Sequence, residues 1–128
     1  MPNLEIEEFA KLLSQRVRDK SIQSCDRRLH AGANHVVAKR WRRAACDGGN
    51  LESIGSVLAP DIVDDTIFHL LQAIDDGSIQ LSFTSSTGKS VSLTKNGLGE
   101  LAGWYIGSGG WRAMYAKERF VDDFSDLK

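Results

Sequence analysis

A glycine-rich and aromatic segment, residues 97–115, contains the side chains best suited to binding a ligand. Arg112 is a cation that can hold a carboxylate or a phosphate through a forked pair of hydrogen bonds. Nearby indole rings can cover an apolar or sugar ring, and the amides of a glycine loop can receive an anion. The candidate ligand-binding residues of the segment are Trp104, Gly107, Gly109, Gly110, Trp111, Arg112 and Tyr115.

The glycines of this segment also require a structural explanation. Gly99 and Gly103 are one turn apart in a predicted helix, and Gly107 follows one turn later. Each interior glycine costs about 1 kcal/mol relative to alanine, so some interaction must offset that cost. Either another element packs closely against the bare backbone, which is the favoured interpretation, or the glycines form the floor of a ligand site.

Basic residues are concentrated in a predicted helix at 35–46. Val37 and Trp41 share one face of this helix. Lys39, Arg40, Arg42 and Arg43 share the other. This basic patch either tracks the phosphates of a nucleic acid, or is a face that is solvated or paired with the acidic half of the chain, and the overall pI of 6.3 favours the second interpretation.

The charge distribution along the chain is uneven. Residues 11–46 carry ten Lys and Arg against two Asp, a balance of 10 − 2 = +8, whereas residues 47–128 carry six against twelve, 6 − 12 = −6. The two halves therefore either face each other or each face a partner of opposite charge.

Carboxylates and imidazoles offer a second candidate chemistry. His69 follows Asp65 by four residues, a spacing that suits proton transfer or metal binding but also an ordinary contact on a helix surface, which we favour. The acidic pairs at 64–65, 75–76 and 122–123 are expected at helix ends or on outer faces. The spacing of Cys25, His30, His35 and Cys46 matches no zinc pattern, so no metal site and no cofactor is predicted.

Hydrophobic periodicity predicts the elements that position these residues. We predict a long N-terminal helix at 4–29 with a bend or break near Ser21, the basic helix at 35–46, a central helix at 61–76 that begins at Pro60, a hairpin at 78–94, and C-terminal helices at 97–125. The fold class is α+β and mostly helical, with about five helices packed around one antiparallel β-hairpin. The predicted core is Phe9, Leu13, Trp41, Ile67, Leu70, Leu71, Leu81, Phe83, Leu93, Leu101 and Tyr105.

Composition indicates one domain covering residues 1–128. The chain shows no signal-peptide pattern and no apolar run long enough for a membrane helix. Two cysteines without a CxxC motif fit a reducing compartment, so the expected location is the cytoplasm.

The motif from Gly97 to Arg112, followed by Glu118, Arg119 and Phe120, resembles a group of small, uncharacterised bacterial single-domain proteins, some of which carry the label "epimerase". The resemblance extends to residues 62–76 and to the Arg-Trp-Arg at 40–42. It implies no catalytic residue that can be transferred to this chain.

Small size, the lack of a catalytic motif and the segregated charge favour a binding or regulatory module that acts through protein–protein contacts, of the immunity or accessory type. The uncharged hairpin edge offers a surface for a protein partner or for a homodimer. A ligand-binding or enzymatic domain that uses Gly97–Tyr115 is the first alternative, and nucleic-acid binding through the basic helix is the second.

Overall fold

The computed structural model describes residues 3–46 and 48–121. Helix α1 (Leu4–Leu12) begins at Asn3, whose side chain accepts a hydrogen bond from the Ile6 amide at 2.9 Å. It continues without a break through a π-helical segment (Leu13–Asp19) into α2 (Lys20–Leu29). The predicted break near Ser21 is therefore wrong. The irregular part of the helix is the π-helical segment, which ends two residues before Ser21, and Ser21 itself is buried.

Helix α3 (Val36–Cys46) follows a short loop. The Val37 amide donates to Nδ1 of His35 at 3.0 Å, so His35 supplies a side-chain acceptor at the start of the helix. Val37, Ala38 and Trp41 are buried. Arg40 is also buried, so a solvated position is wrong for this residue.

Helix α4 (Leu51–Asp75) is the central element, and it packs against α2, α3 and the π-helical segment. It begins at Asn50, which accepts from the Ser53 amide at 2.9 Å, so the predicted start at Pro60 is wrong.

Proline inside a helix leaves the carbonyl four residues earlier without its amide donor. Here that carbonyl belongs to Ser56, and Nε of Arg119 donates to it at 3.0 Å. A contact from a distant segment therefore replaces the missing bond.

The β-hairpin consists of β1 (Ser82–Thr84) and β2 (Ser90–Ser92), which are antiparallel with Phe83 opposite Val91. Ser92 then caps a short helix, α5 (Leu93–Asn96), against which both strands pack. This arrangement confirms the predicted fold class, mostly helical α+β with one antiparallel hairpin. The side chain of Phe83 is 56% exposed, however, so its predicted place in the core is wrong.

The hydrophobic core lies where α4 meets the π-helical segment and the C-terminal part of the chain. Its buried cluster consists of Val17, Ala73, Ile74, Ile79 and Leu101. The predicted core residues Leu70, Leu71, Leu81 and Leu93 pack against this cluster. The predictions for Phe9 and Leu13 are wrong, since these side chains are 42% and 39% exposed.

The C-terminal part of the described chain forms α6 (Leu101–Ile106) and α7 (Trp111–Tyr115). The carboxylate of Asp75 accepts from the amides of Leu101 and Ala102, each at 2.9 Å, and so holds the start of α6 against the end of α4. Gly99 precedes α6 with φ of 73°, a left-handed conformation that favours glycine. It is not inside a helix as predicted, so the helix-interior cost does not apply to it. The predicted helical residues 122–125 lie outside the described residues.

Candidate functional site

Three aspartates of α4 form a buried acidic face. Asp61, Asp64 and Asp65 follow helical spacing, so their side chains share one side of the helix. Each is exposed by less than a tenth. A buried carboxylate needs a partner, and each of the three faces an arginine from a different element. The prediction that Asp64 and Asp65 lie at a helix end or on an outer face is therefore wrong.

Asp61 joins α3 to α4. It accepts from Nε and Nη2 of Arg40 at 3.2 and 3.0 Å, a forked pair of charge-assisted bonds. It also accepts from Nε1 of Trp41 at 2.8 Å. Both carboxylate oxygens are thus bonded, and this group has a structural role.

Asp64 joins α4 to α6 and α7. Its two oxygens accept from the hydroxyl of Tyr105 at 2.7 Å and from Nη1 of Arg112 at 2.8 Å. The guanidinium of Arg112 also lies over the ring of Phe120, 4.7 Å from its centroid. Arg112, the cation of the predicted ligand segment, is therefore 4% exposed and fixed by an internal ion pair.

The bond to Asp64 predicts a change of stability at high pH. Burial, with the hydrogen bond to Asp64 next, raises the pKa of Tyr105 from 10.0 to about 12. The hydroxyl of Tyr105 therefore loses its proton at a lower pH in the unfolded chain than in the folded chain. The stabilisation from this group is complete below pH 10 and is lost as the pH approaches 12. We expect wild type to lose stability relative to Tyr105→Phe across this range, as measured by melting temperature. Tyr115→Phe, at a position 72% exposed, is the control and should follow wild type.

Asp65 differs from the other two aspartates because its hydrogen bonding is incomplete. Its Oδ1 accepts from the Ser24 hydroxyl at 3.3 Å and lies 3.2 Å from Nη2 of Arg28. Its Oδ2 is buried and accepts no hydrogen bond among the described residues. Nδ1 of His69 lies 3.4 Å from Oδ2. A buried acceptor without a donor is costly and calls for an explanation.

A backbone carbonyl group determines which ring nitrogen of His69 carries the proton. Nδ1 lies 2.8 Å from the carbonyl oxygen of Asp65, which can only accept, so Nδ1 carries the proton and Nε2 is the basic nitrogen. The Ser21 hydroxyl also contacts Nδ1, at 3.1 Å. A catalytic Ser-His-Asp triad needs the serine and the aspartate on opposite ring nitrogens. Here both residues contact the same nitrogen, so Ser21, His69 and Asp65 are not such a triad.

A cleft of about 600 Å³, called here the central cleft, opens between α2, α3 and α4. All three aspartates of the acidic face line it, together with Ile106 of α6 and Arg112 of α7. The other lining residues are Ser24, Arg28, Asn34, His35, Val36, Val37, Phe68 and His69. Its size is that of ordinary small-molecule sites. Nine of the thirteen lining residues are polar or charged, and the other four are apolar.

The predicted ligand segment contributes little to this cleft. Of its candidate residues, Arg112 lines the cleft, whereas Trp104, Trp111 and Tyr115 do not. The rings of Trp104 and Trp111 are 6.0 Å apart, and Trp111 packs on the core. Gly107 ends α6, and Gly109 has a left-handed φ of 72°. A side chain on Gly110 would overlap the carbonyl oxygen of Trp104, so this glycine serves a close backbone approach.

Close packing does not explain every glycine of the segment. A methyl group added to Gly103 would meet no atom of the described residues within 4 Å, so none of the described elements packs against this helical glycine. Within that part of the chain, the favoured interpretation of close packing against the bare backbone is wrong for Gly103.

The predicted basic patch is divided between the surface and the interior. Lys39 and Arg43 are exposed and Arg42 is partly buried, while Arg40 is paired with Asp61. For Arg28 and Arg40, the basic half of the chain does face the acidic half. Among residues 3–46 and 48–121, no group of three or more His, Cys, Asp or Glu side chains could hold a metal ion.

Comparisons with known proteins do not identify a family or a function for this chain. No family model, curated protein or solved structure matches the chain. Within the described part of the chain, no helix is both long and apolar enough to cross a membrane.

Proposed function

We propose that this chain is a ligand-binding domain whose central cleft takes a small, uncharged molecule rich in hydroxyl or amino donors. The observation that carries the proposal is the carboxylate of Asp65, which lines the cleft with one buried oxygen that accepts no hydrogen bond. A ligand that donates to this oxygen, after a small side-chain rotation that opens it to the cleft, would remove the cost of its burial.

The charges around the central cleft favour an uncharged ligand. Three aspartates face three arginines, so the ion pairs balance without a ligand. A strongly charged molecule would have to break one of these pairs or enter without a counter-charge, and either change is costly at buried positions.

The polar groups of the cleft define the pattern that a ligand must match. Asp65 and Nε2 of His69 offer acceptors on the α4 side. His35, at the start of α3, also lines the cleft. Phe68 and Val37 supply an apolar wall for the body of the ligand. Sugars and nucleosides combine these features.

Ligand-observed NMR tests the proposal directly, with glucose, ribose, adenosine and uridine as probes and their phosphates as charged counterparts. We expect saturation transfer to at least one neutral probe and a weaker signal from its phosphate. Asp65→Asn should reduce the signal about tenfold or more, because a hydrogen bond to a charged acceptor is lost. Gln72→Ala, at an exposed position on the same helix, is the matched control and should bind like wild type. If every neutral probe gives no signal, or Asp65→Asn binds as well as wild type, the proposal fails.

The nucleic-acid alternative has weaker support than ligand binding. Arg40 is committed to Asp61, which leaves Lys39, Arg42 and Arg43 to contact phosphates. Pairing through the hairpin edge also has weaker support, because each strand has three residues and offers few backbone groups to a partner.

A further inference from the structure

Arg112 brings a second incompletely bonded group to the central cleft. Its side chain lines the cleft and is almost completely buried. Nη1 donates to Asp64, but Nε is buried and donates no hydrogen bond among the described residues. Nη2 donates to the carbonyl oxygen of Ile106 at 3.4 Å, which is longer than the usual range of about 2.7–3.2 Å. The Nε and Nη2 side of this guanidinium therefore makes one weak bond.

Arg40 shows what the same side of a guanidinium can hold. Its Nε and Nη2 donate to the two carboxylate oxygens of Asp61. These two nitrogens point their hydrogens in the same direction, so together they can hold one planar acceptor group. The equivalent pair of Arg112 holds no such group among the described residues. A buried donor without an acceptor is as costly as a buried acceptor without a donor.

The bond to Ile106 places Nη2 of Arg112 on the side of the central cleft. Ile106 lines this cleft. Arg112 also lines a second cavity, of about 360 Å³ beside Phe120, but Ile106 does not. Asp65, whose Oδ2 accepts no hydrogen bond, directly follows Asp64, the ion-pair partner of Arg112. An unused acceptor and an unused donor therefore lie on neighbouring parts of the cleft wall.

We propose that the ligand of the central cleft is a cyclic amide, the chemical group that forms the ring of uracil. This inference rests on the proposed function of the cleft and narrows it to one class of ligand. An N–H group of the ring donates to Oδ2 of Asp65. A ring carbonyl accepts from Nε and Nη2 of Arg112 and replaces the long bond to Ile106. Both protein groups are buried, so each side chain turns slightly towards the ligand on binding.

The surroundings of these two groups favour an amide over a carboxylate. Asp64 already balances the charge of Arg112, at 2.8 Å, and Arg28 balances that of Asp65. A neutral carbonyl leaves both ion pairs intact, whereas a carboxylate would add a buried charge without a partner. Phe68 lines the same cleft and offers an apolar surface to a flat ring.

Four neutral probes separate the two hydrogen-bonding requirements. Uracil carries both groups, and 1,3-dimethyluracil keeps the carbonyls but has no N–H. Glucose and ribose, in their ring forms, have hydroxyl donors but no carbonyl. We expect wild-type protein to bind uracil about tenfold or more tightly than each of the other three, because each of them lacks one of the two matched groups. Ligand-observed NMR titrations give the dissociation constants.

The outcomes of this titration separate the narrower inference from the proposed function. If 1,3-dimethyluracil, glucose or ribose binds at least as tightly as uracil, the ligand is not recognised as a cyclic amide and the inference is wrong. Binding of any of these probes nevertheless keeps the proposed function. If no neutral probe binds, the proposed function fails and the inference fails with it.

Arg112→Lys tests the donor side of the site. Lysine keeps a positive charge beside Asp64 but lacks the planar pair of donors. We expect this variant to bind uracil about tenfold more weakly than wild type. Arg43→Lys makes the same change at an exposed position of α3 outside the cleft, and should bind like wild type. Unchanged uracil binding by Arg112→Lys would refute the role of Arg112. If this variant melts below wild type, the comparison of the four probes on the wild type decides the question.

Discussion

Replacing Asp64 with alanine is expected to lower the free energy of unfolding by about 3–5 kcal/mol. The substitution removes the carboxylate that accepts from Tyr105 and Arg112. Arg112 is 4% exposed, so its charge would remain buried without the counter-charge that it has in the wild type. Removing one partner of a buried ion pair is costly for this reason. Urea denaturation followed by circular dichroism gives the free energy of unfolding of each variant.

Two further variants test that explanation. Val63→Ala changes the neighbouring residue, which is 55% exposed, and should alter stability by no more than about 0.5 kcal/mol. The double variant Asp64→Ala with Arg112→Met should be more stable than Asp64→Ala alone, because no buried charge remains. If the double variant is the less stable of the two, the loss comes from packing and the electrostatic explanation is wrong.

Replacing Asp61 with alanine is expected to cost a similar amount, about 3–5 kcal/mol. Arg40 loses two hydrogen bonds and Trp41 loses the acceptor of its indole N–H, and both side chains are buried. Because these bonds join α3 to α4, the environment of Trp41 should change in addition to the overall stability. Near-ultraviolet circular dichroism reports that change, and urea denaturation reports the stability.

The control for this variant is Asp26→Ala, which removes an exposed aspartate of α2. It should alter stability by no more than about 0.5 kcal/mol. A loss for Asp61→Ala that is as small as that of Asp26→Ala would contradict a structural role for the Arg40 and Asp61 pair.

The sequence predicts the type of each main element but not every boundary. Helical periodicity identifies the chain from 4 to 29, the helix at 36–46 and the apolar part of α4, because local spacing is sufficient for these. It misplaces the start of α4, since Pro60 usually marks a first turn. The compensating donor, Arg119, is 63 residues away from Ser56, and no local pattern contains that information.

The ion pairs of the candidate site are harder to predict from the sequence than the helix boundaries. Asp64 and Arg112 are 48 residues apart, and Asp61 and Arg40 are 21 apart, so both partners look like ordinary surface charges in the sequence. One available signal was the spacing of three aspartates on one side of a helix that also carries Ile67 and Leu70. The number of these aspartates, together with the excess of basic residues at 11–46, indicates that the aspartates pair with arginines inside the protein and are not solvated.

The π-helical segment at Leu13–Asp19 makes two surfaces of one continuous helix independent of each other. A π turn holds one more residue than an α turn, so it is the place where the chain can gain or lose a residue without breaking the helix. Loss of one residue there would rotate α1 by about 100° relative to α2. Ser24 and Arg28 would still face Asp65, while the exposed side chains Ile6 and Phe9 of α1 would point elsewhere. A single change in chain length would therefore alter the exposed apolar surface of α1 and leave the central cleft intact.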